Sequence, residues 1–136
     1  MRVFLLALLF CCQLLTAAAA NVPLMPVRDL RAGMQGIGKT VISGDTIETF
    51  NVEILGVNGS EAMGYNIFVR LYGDLIEKTG GVAQGMSGSP VYVDGRLVGA
   101  VAFGKTFNDP HYCFLTPIGK MLPLLDEPRE LSLIHI

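Results

Sequence analysis

The sequence predicts a mainly β domain with one or two short helices. Three observations carry this. Phe50, Val52 and Ile54 alternate with Asn51, Glu53 and Leu55, and Ile67, Val69 and Leu71 share one face with Phe68, Arg70 and Tyr72 on the other, the period-two pattern of strands with one buried face. Turn signals (Ser43-Gly44-Asp45, Asn58-Gly59, Asp94-Gly95) separate these runs at short intervals. Helical spacing is confined to the end of the chain, at Ile118, Met121, Leu122 and Leu125.

The first 20 residues stand outside the fold. Arg2 precedes an apolar run, Val3–Leu15, and Ala17-Ala18-Ala19-Ala20 offers small-residue cleavage sites. This is the pattern of a secretory signal peptide, cleaved after Ala19 or Ala20. The alternative, a membrane anchor, needs about 20 apolar residues, and this run is shorter. The mature chain is therefore expected to carry no stable membrane anchor. Phe10 before Cys11 is too large for a lipidation site. Removing residues 1–20 leaves nine Lys and Arg against twelve Asp and Glu, a net charge of −3. That mild acidity, without a basic patch, argues against nucleic acid as a partner. It also removes Cys11 and Cys12, so Cys113 stays unpaired. Set in the apolar run Tyr112-Cys113-Phe114-Leu115, it reads as a buried structural thiol.

The mature chain opens with an extended leader, Asn21–Pro26, and one short turn in Val27–Met34, ended by Gly33. Gly36–Ile42 reads as a glycine-rich strand. The stretch Gly33-Met34-Gln35-Gly36-Ile37-Gly38-Lys39-Thr40 also fits the bare G-x-x-x-x-G-K-[ST] pattern of a phosphate loop. That motif requires a buried strand before it and a helix after it, whereas prolines precede this one and β-branched residues follow. The strand reading is kept. Ile47–Val57 and Tyr65–Tyr72 are the next strands, and Gly73–Thr79 a single helical turn closed by Gly80-Gly81. Val91-Tyr92-Val93, Asp94-Gly95 and Arg96–Gly104 form a strand, a two-residue turn and a returning strand. Lys105–His111 is a polar loop. Thr116-Pro117 then reads as the N-cap and first position of a last helix, which Pro123 limits to a turn or two.

Before the hairpin lies Gly85-Met86-Ser87-Gly88-Ser89-Pro90. Ser87 lies between Gly85 and Gly88, with Met86 before it, and these glycines let backbone N–H groups approach a ligand. Three readings are open. Ser87 is a nucleophile, with the Gly85 and Ser87 N–H groups as an oxyanion hole. Or the loop is a tight turn whose serines cap backbone groups. Or the N–H groups bind an anion without catalysis. The hydrolase elbow G-x-S-x-G fits poorly, since Ser89 replaces its second glycine and a hairpin follows where that fold places a helix.

The loop and hairpin resemble the nucleophile region of chymotrypsin-like double β-barrel proteases. More closely, Thr79–Tyr92 resembles the SpoIVB-type serine peptidases of the same clan. Met25-Pro26, Leu30–Met34, Gly36, Val52–Val57 and Leu115–Ile118 resemble the opening and close of that domain in exported bacterial homologues. The resemblance covers roughly Pro26–Leu125 and is strongest over Thr79–Gly104. It implies a chymotrypsin-like β-barrel domain, incomplete here, with residues 21–130 its N-terminal portion. Half a double barrel is expected to leave open sheet edges. It further implies a serine endopeptidase exported to the periplasm or beyond, acting on protein or peptide substrates without metal or cofactor. Ser87 would be the nucleophile. Gly85 and Ser87 would supply the oxyanion N–H groups, and Ala102-Phe103-Gly104 would lie beside the bound peptide. The alternative is a non-catalytic envelope domain that binds peptides or partner proteins on the same fold.

One departure from the family pattern matters. A serine needs a base, and the family's Gly-His motif is missing. No histidine precedes Ser87. His111, in Asn108-Asp109-Pro110-His111, is a candidate without the family context, and Asp74 is a candidate orienting acid or merely a surface carboxylate. The tail, Leu131–Ile136, fits no preceding element. One reverse translation of it, CTG TCT CTT ATA CAC ATC, is a transposon-adapter end. Residues 131–136 are therefore read as foreign. The base is expected in a continuation beyond Glu130, and this stretch alone is expected to be inactive.

Overall fold

The alternating segments become the wall of a barrel. The computed structural model describes residues 22–102 and 109–126. The signal peptide, the tail, Phe103 and Gly104 lie outside them. Six strands follow in chain order: β1 (Gln35–Thr40), β2 (Glu48–Ser60), β3 (Gly64–Tyr72), β4 (Pro90–Val93), β5 (Arg96–Val101) and β6 (Tyr112–Pro117). Three short helices join them: α1 (Asp74–Thr79), α2 (Ile118–Met121) and α3 (Pro123–Asp126). The leader carries one 3-10 turn, Val27–Asp29.

Every strand pair is antiparallel, and the order is β1-β2-β3-β6-β5-β4 with β4 returning to β1. The barrel is closed. The open sheet edges expected of half a double barrel are absent among the described residues, because Ile37 pairs with Tyr92 and Gly38 with Val91. Closure gives each strand two partners and removes the unpaired backbone that makes edges prone to aggregate.

The core lies inside. Phe50, Val52 and Ile54 of β2 and Ile67, Val69 and Leu71 of β3 point inward, as their alternation predicted. Val91 and Val93, Val98 and Val101, and Cys113 and Leu115 complete the lining. Burying one such aliphatic side chain contributes about 1.5–3 kcal/mol. Met25, Leu30, Leu75, Ile76 and Met86 plug the interior from the leader, α1 and the serine turn. Met25 is held by backbone: its N–H donates to Leu97 O at 2.9 Å, and Leu97 N–H donates to Pro23 O at 2.8 Å.

Three sequence expectations change. Tyr112–Pro117 is strand β6, pairing with both β3 and β5. Thr116 therefore sits in that ladder opposite Ala100, and the following helix starts at Ile118, with no side-chain cap. β1 stops at Thr40, which leaves Val41 and Ile42 exposed in the β1–β2 loop. The returning strand β5 ends at Val101. The phosphate-loop pattern lies in β1, laddered on both sides, where that motif requires a loop leading into a helix. Cys113 is a free, buried thiol, as expected, and burial pushes it from 9.0 up to about 12. Among the described residues no helix is long and apolar enough to cross a membrane.

Candidate active site

The approach to Ser87 is built from α1 onward. Leu75 and Ile76 bury one face of this six-residue helix. Gly80 ends it in the left-handed conformation (φ 73°, ψ 26°). The Thr79 hydroxyl lies 2.7 Å from Gly81 O and 3.1 Å from both Leu75 O and Ile76 O, so it ties off the last turn. Val82 N–H then donates to Pro110 O at 2.8 Å. This fixes the segment before the nucleophile turn against the turn that leads into β6.

The turn itself is pinned by one residue and released at the next. Met86 is fully buried, its N–H donating to Ala83 O at 3.2 Å and its sulfur accepting from Ala83 N–H at 3.4 Å. Ser87, next in the chain, is exposed. The switch from inward to outward is made by Gly85 (φ 93°) and Gly88 (φ 88°). Nothing lies within 4 Å of a Cβ built on either, so the conformation and not the space requires glycine. Gly88 N–H donates to Val101 O at 2.7 Å, Val101 N–H to Ser89 O at 2.9 Å and Ser89 N–H to Met86 O at 3.0 Å. Ser89 is buried, and its hydroxyl meets the Thr40 hydroxyl at 2.8 Å. It therefore has a structural partner on β1, which Ser87 lacks.

Ser87 Oγ donates to Ala102 O at 3.1 Å. Among the described residues the N–H groups of Gly85 and Ser87 have no acceptor, while Met86, Gly88 and Ser89 N–H are all used. Beside Ser87 opens a cleft of about 480 Å³, lined by Gly85, Gly88, Pro90 and Tyr92 and by Lys39, Val41 and Ile47 from β1 and its loop. Two strand ends flank it. β4 begins just after the turn. Its neighbours β5 and β1 both run antiparallel to it, so both end beside Ser87, at Val101 (just before Ala102) and at Thr40.

The structure brings Ser87, Gly85 and Ala102 together. It does not bring His111 to them. The His111 ring faces two carboxylates: Nδ1 lies 2.6 Å from Asp109 Oδ1 and Nε2 lies 3.5 Å from Glu77 Oε1. The His111 N–H above all, then its ring, holds the Asp109 carboxyl below its usual value. His111 O accepts from Leu71 N–H at 2.8 Å, so the residue braces α1, β3 and the turn before β6. Asp74 opens α1 and lines a separate hollow with Thr49 and Lys78. Sequence reasoning missed the buried Thr40 partner of Ser89 and the Met86 plug. The Gly-Met-Ser order, one large apolar residue between two small ones, was the available signal for the plug. Among the described residues no group of three His, Cys, Asp or Glu side chains could hold a metal ion.

The SpoIVB peptidase S55 family profile matches residues 16–122. Among solved structures, the chain resembles the crystal structure of Rv3671c from M. tuberculosis H37Rv, a serine-to-alanine mutant in an inactive form. The TM-score is 0.56 at 16% identity, with 76% of this chain and 51% of that chain covered. At that identity the likeness establishes the shared fold, and the chain spans about half the length of that structure. No curated protein matches the chain.

Proposed function

The chain belongs to the SpoIVB peptidase S55 family, and from that premise we propose that it is the nucleophile-bearing barrel of an exported serine endopeptidase. The observation that carries this reading is the Ser87 turn. It exposes one hydroxyl between two backbone N–H groups without acceptors among the described residues, beside the Ala102 carbonyl just past β5.

The chemistry follows from those atoms. Ser87 Oγ leaves Ala102 O and attacks the scissile carbonyl carbon while a base takes its proton. The carbonyl oxygen becomes an oxyanion, which accepts hydrogen bonds from Gly85 and Ser87 N–H. Donors held in place before the reaction cost no reorganisation, and each such donor is worth about 10²–10³ in rate. Collapse expels the amine, protonated by the base, and leaves an acyl-enzyme that water hydrolyses. Ala102 lies beside the substrate backbone. The base comes from outside the residues described, since the His111 ring faces Asp109 and Glu77 and not Ser87. The leader's charge, apolar run and alanine sites support export.

A second reading, a barrel that binds peptides or partner proteins without cleaving them, is favoured by one observation. The Ser87 hydroxyl is already engaged by Ala102 O, with no imidazole on it among the described residues. Fluorophosphonate labelling of the full-length protein separates the two. The peptidase reading predicts labelling that is lost in Ser87→Ala and kept in Ser89→Ala. An unlabelled wild-type protein, or equal labelling of all three, favours the binding module.

A further inference from the structure

The cleft at Ser87 does not end there. The side chains of β1 alternate strictly, with Gly38 and Thr40 turned inward and Gln35, Ile37 and Lys39 exposed on the outer face. Val41 continues the exposed row into the loop beside Ser87. A second groove, of about 820 Å³ and mostly apolar, lies along this row and is walled by Tyr72, Asn51 and Val22. Lys39 and Tyr92 line both hollows and so join them, with the Lys39 ammonium 5.4 Å from the centre of the Tyr92 ring. The Tyr72 hydroxyl donates to Gln35 Oε1 at 2.6 Å and closes the far end.

The row carries apolar surface that the barrel does not use. Ile37 is 50% exposed and Val41 44%, and Ile47 of the loop before β2, which lines the Ser87 cleft, is 68% exposed. Lys39 forms no ion pair among the described residues. Asp94, at the outer rim, is the acidic residue of the groove. A strand rises about 3.4 Å per residue, so the run from Gln35 to Thr40 is roughly 17 Å, the span of about five extended substrate residues.

We propose that the outer row of β1 is a substrate track. It seats an extended segment of the polypeptide substrate on the side of Ser87 opposite Ala102, with aliphatic or aromatic side chains on Ile37 and Val41 and a carboxylate at Lys39. The occupant follows from three features: continuity with the Ser87 cleft, the exposed aliphatic residues at alternate positions, and the Lys39 cation between them, unpaired among the described residues. Alternate spacing on the track matches alternate side chains of an extended peptide. The inference rests on the peptidase reading for what happens at Ser87, and it extends that reading to the class of substrate: unfolded or extended segments that mix apolar and acidic residues.

The test uses the full-length protein with Ser87→Ala, immobilised and exposed to a random decapeptide library, with retained peptides read by mass spectrometry. The expected pool is enriched in aliphatic or aromatic residues together with Asp or Glu. Adding Ile37→Asp is expected to cut the apolar enrichment by about tenfold. Adding Lys39→Glu is expected to turn the acidic preference basic, a reversal that simple misfolding would not produce. Both side chains are solvent-exposed, and unchanged melting curves verify the fold. The same pool from all three proteins, or no selective retention at all, overturns the track. Fluorophosphonate labelling of the wild type, run in parallel, decides the peptidase reading by itself. Labelling without selective retention defeats only the track. Selective retention without labelling upholds the track and defeats only the peptidase.

Discussion

Ser87 and Ser89 are two residues apart and differ in everything that decides reactivity. One hydroxyl is exposed on a turn, and the other is buried against Thr40 at 2.8 Å. Ser89→Ala is therefore expected to cost about 1 kcal/mol of stability, the worth of one hydrogen bond, without touching the nucleophile. The sequence pointed to Ser87 through the glycines around it, Gly85 and Gly88. It could not show that the His111 ring faces away from Ser87, because Glu77, which Nε2 faces at 3.5 Å, comes from a separate element. Cys113 gives a sharper residue-scale expectation. A thiol raised from 9.0 to about 12 keeps its proton longer in the folded chain than in the unfolded one. The stability it contributes is whole below pH 9 and is lost as pH rises towards 12. Urea midpoints measured from pH 8 to 11 should fall more steeply in wild type than in Cys113→Ala. In the native state at pH 9, iodoacetamide should leave Cys113 unmodified, and added denaturant should expose it.

At the scale of elements, β2 and β3 were legible because their inward residues are apolar and most of their outward ones polar. Strand β6 was not, although its burial alternates just as regularly. Its outward residues Tyr112 and Phe114 are aromatic and pack with Phe68 at ring distances of 5.7 and 5.4 Å. Apolar residues on both faces erase the contrast on which period-two reading depends, and Thr116-Pro117 imitates a helix start. The serine turn is an element of its own, anchored by Met86. Met86→Ala removes a fully buried side chain and is expected to destabilise the chain by about 3 kcal/mol. Because that side chain holds the turn, fluorophosphonate labelling should slow in conditions where the barrel remains folded by circular dichroism. Labelling at the wild-type rate would show that the hydrogen bonds to Val101 and Ala83 position Ser87 unaided.

For the whole molecule, closure of the barrel is the feature least visible in the sequence. It depends on β1 meeting β4 through two residue pairs more than fifty positions apart, and no local pattern encodes a pairing at that distance. The seam has a physical requirement at Gly38, where a Cβ would fall 2.1 Å from the Phe50 ring. Gly38→Ala is expected to cost about 1–3 kcal/mol through overpacking. Amide exchange should quicken first in β1 and β4, and an even rise across all six strands would place the strain elsewhere. Closure also explains the catalytic geometry proposed for this fold: it holds the ends of β5 and β1 on either side of one exposed serine. The most direct measurement is a crystal structure of the full-length protein after reaction with diisopropyl fluorophosphate. The expected result is a phosphoryl group on Ser87 Oγ, with its oxygen within hydrogen-bond distance of both Gly85 and Ser87 N–H and the contact to Ala102 O broken. An adduct on another residue, or a phosphoryl oxygen turned away from those two N–H groups, would contradict the account.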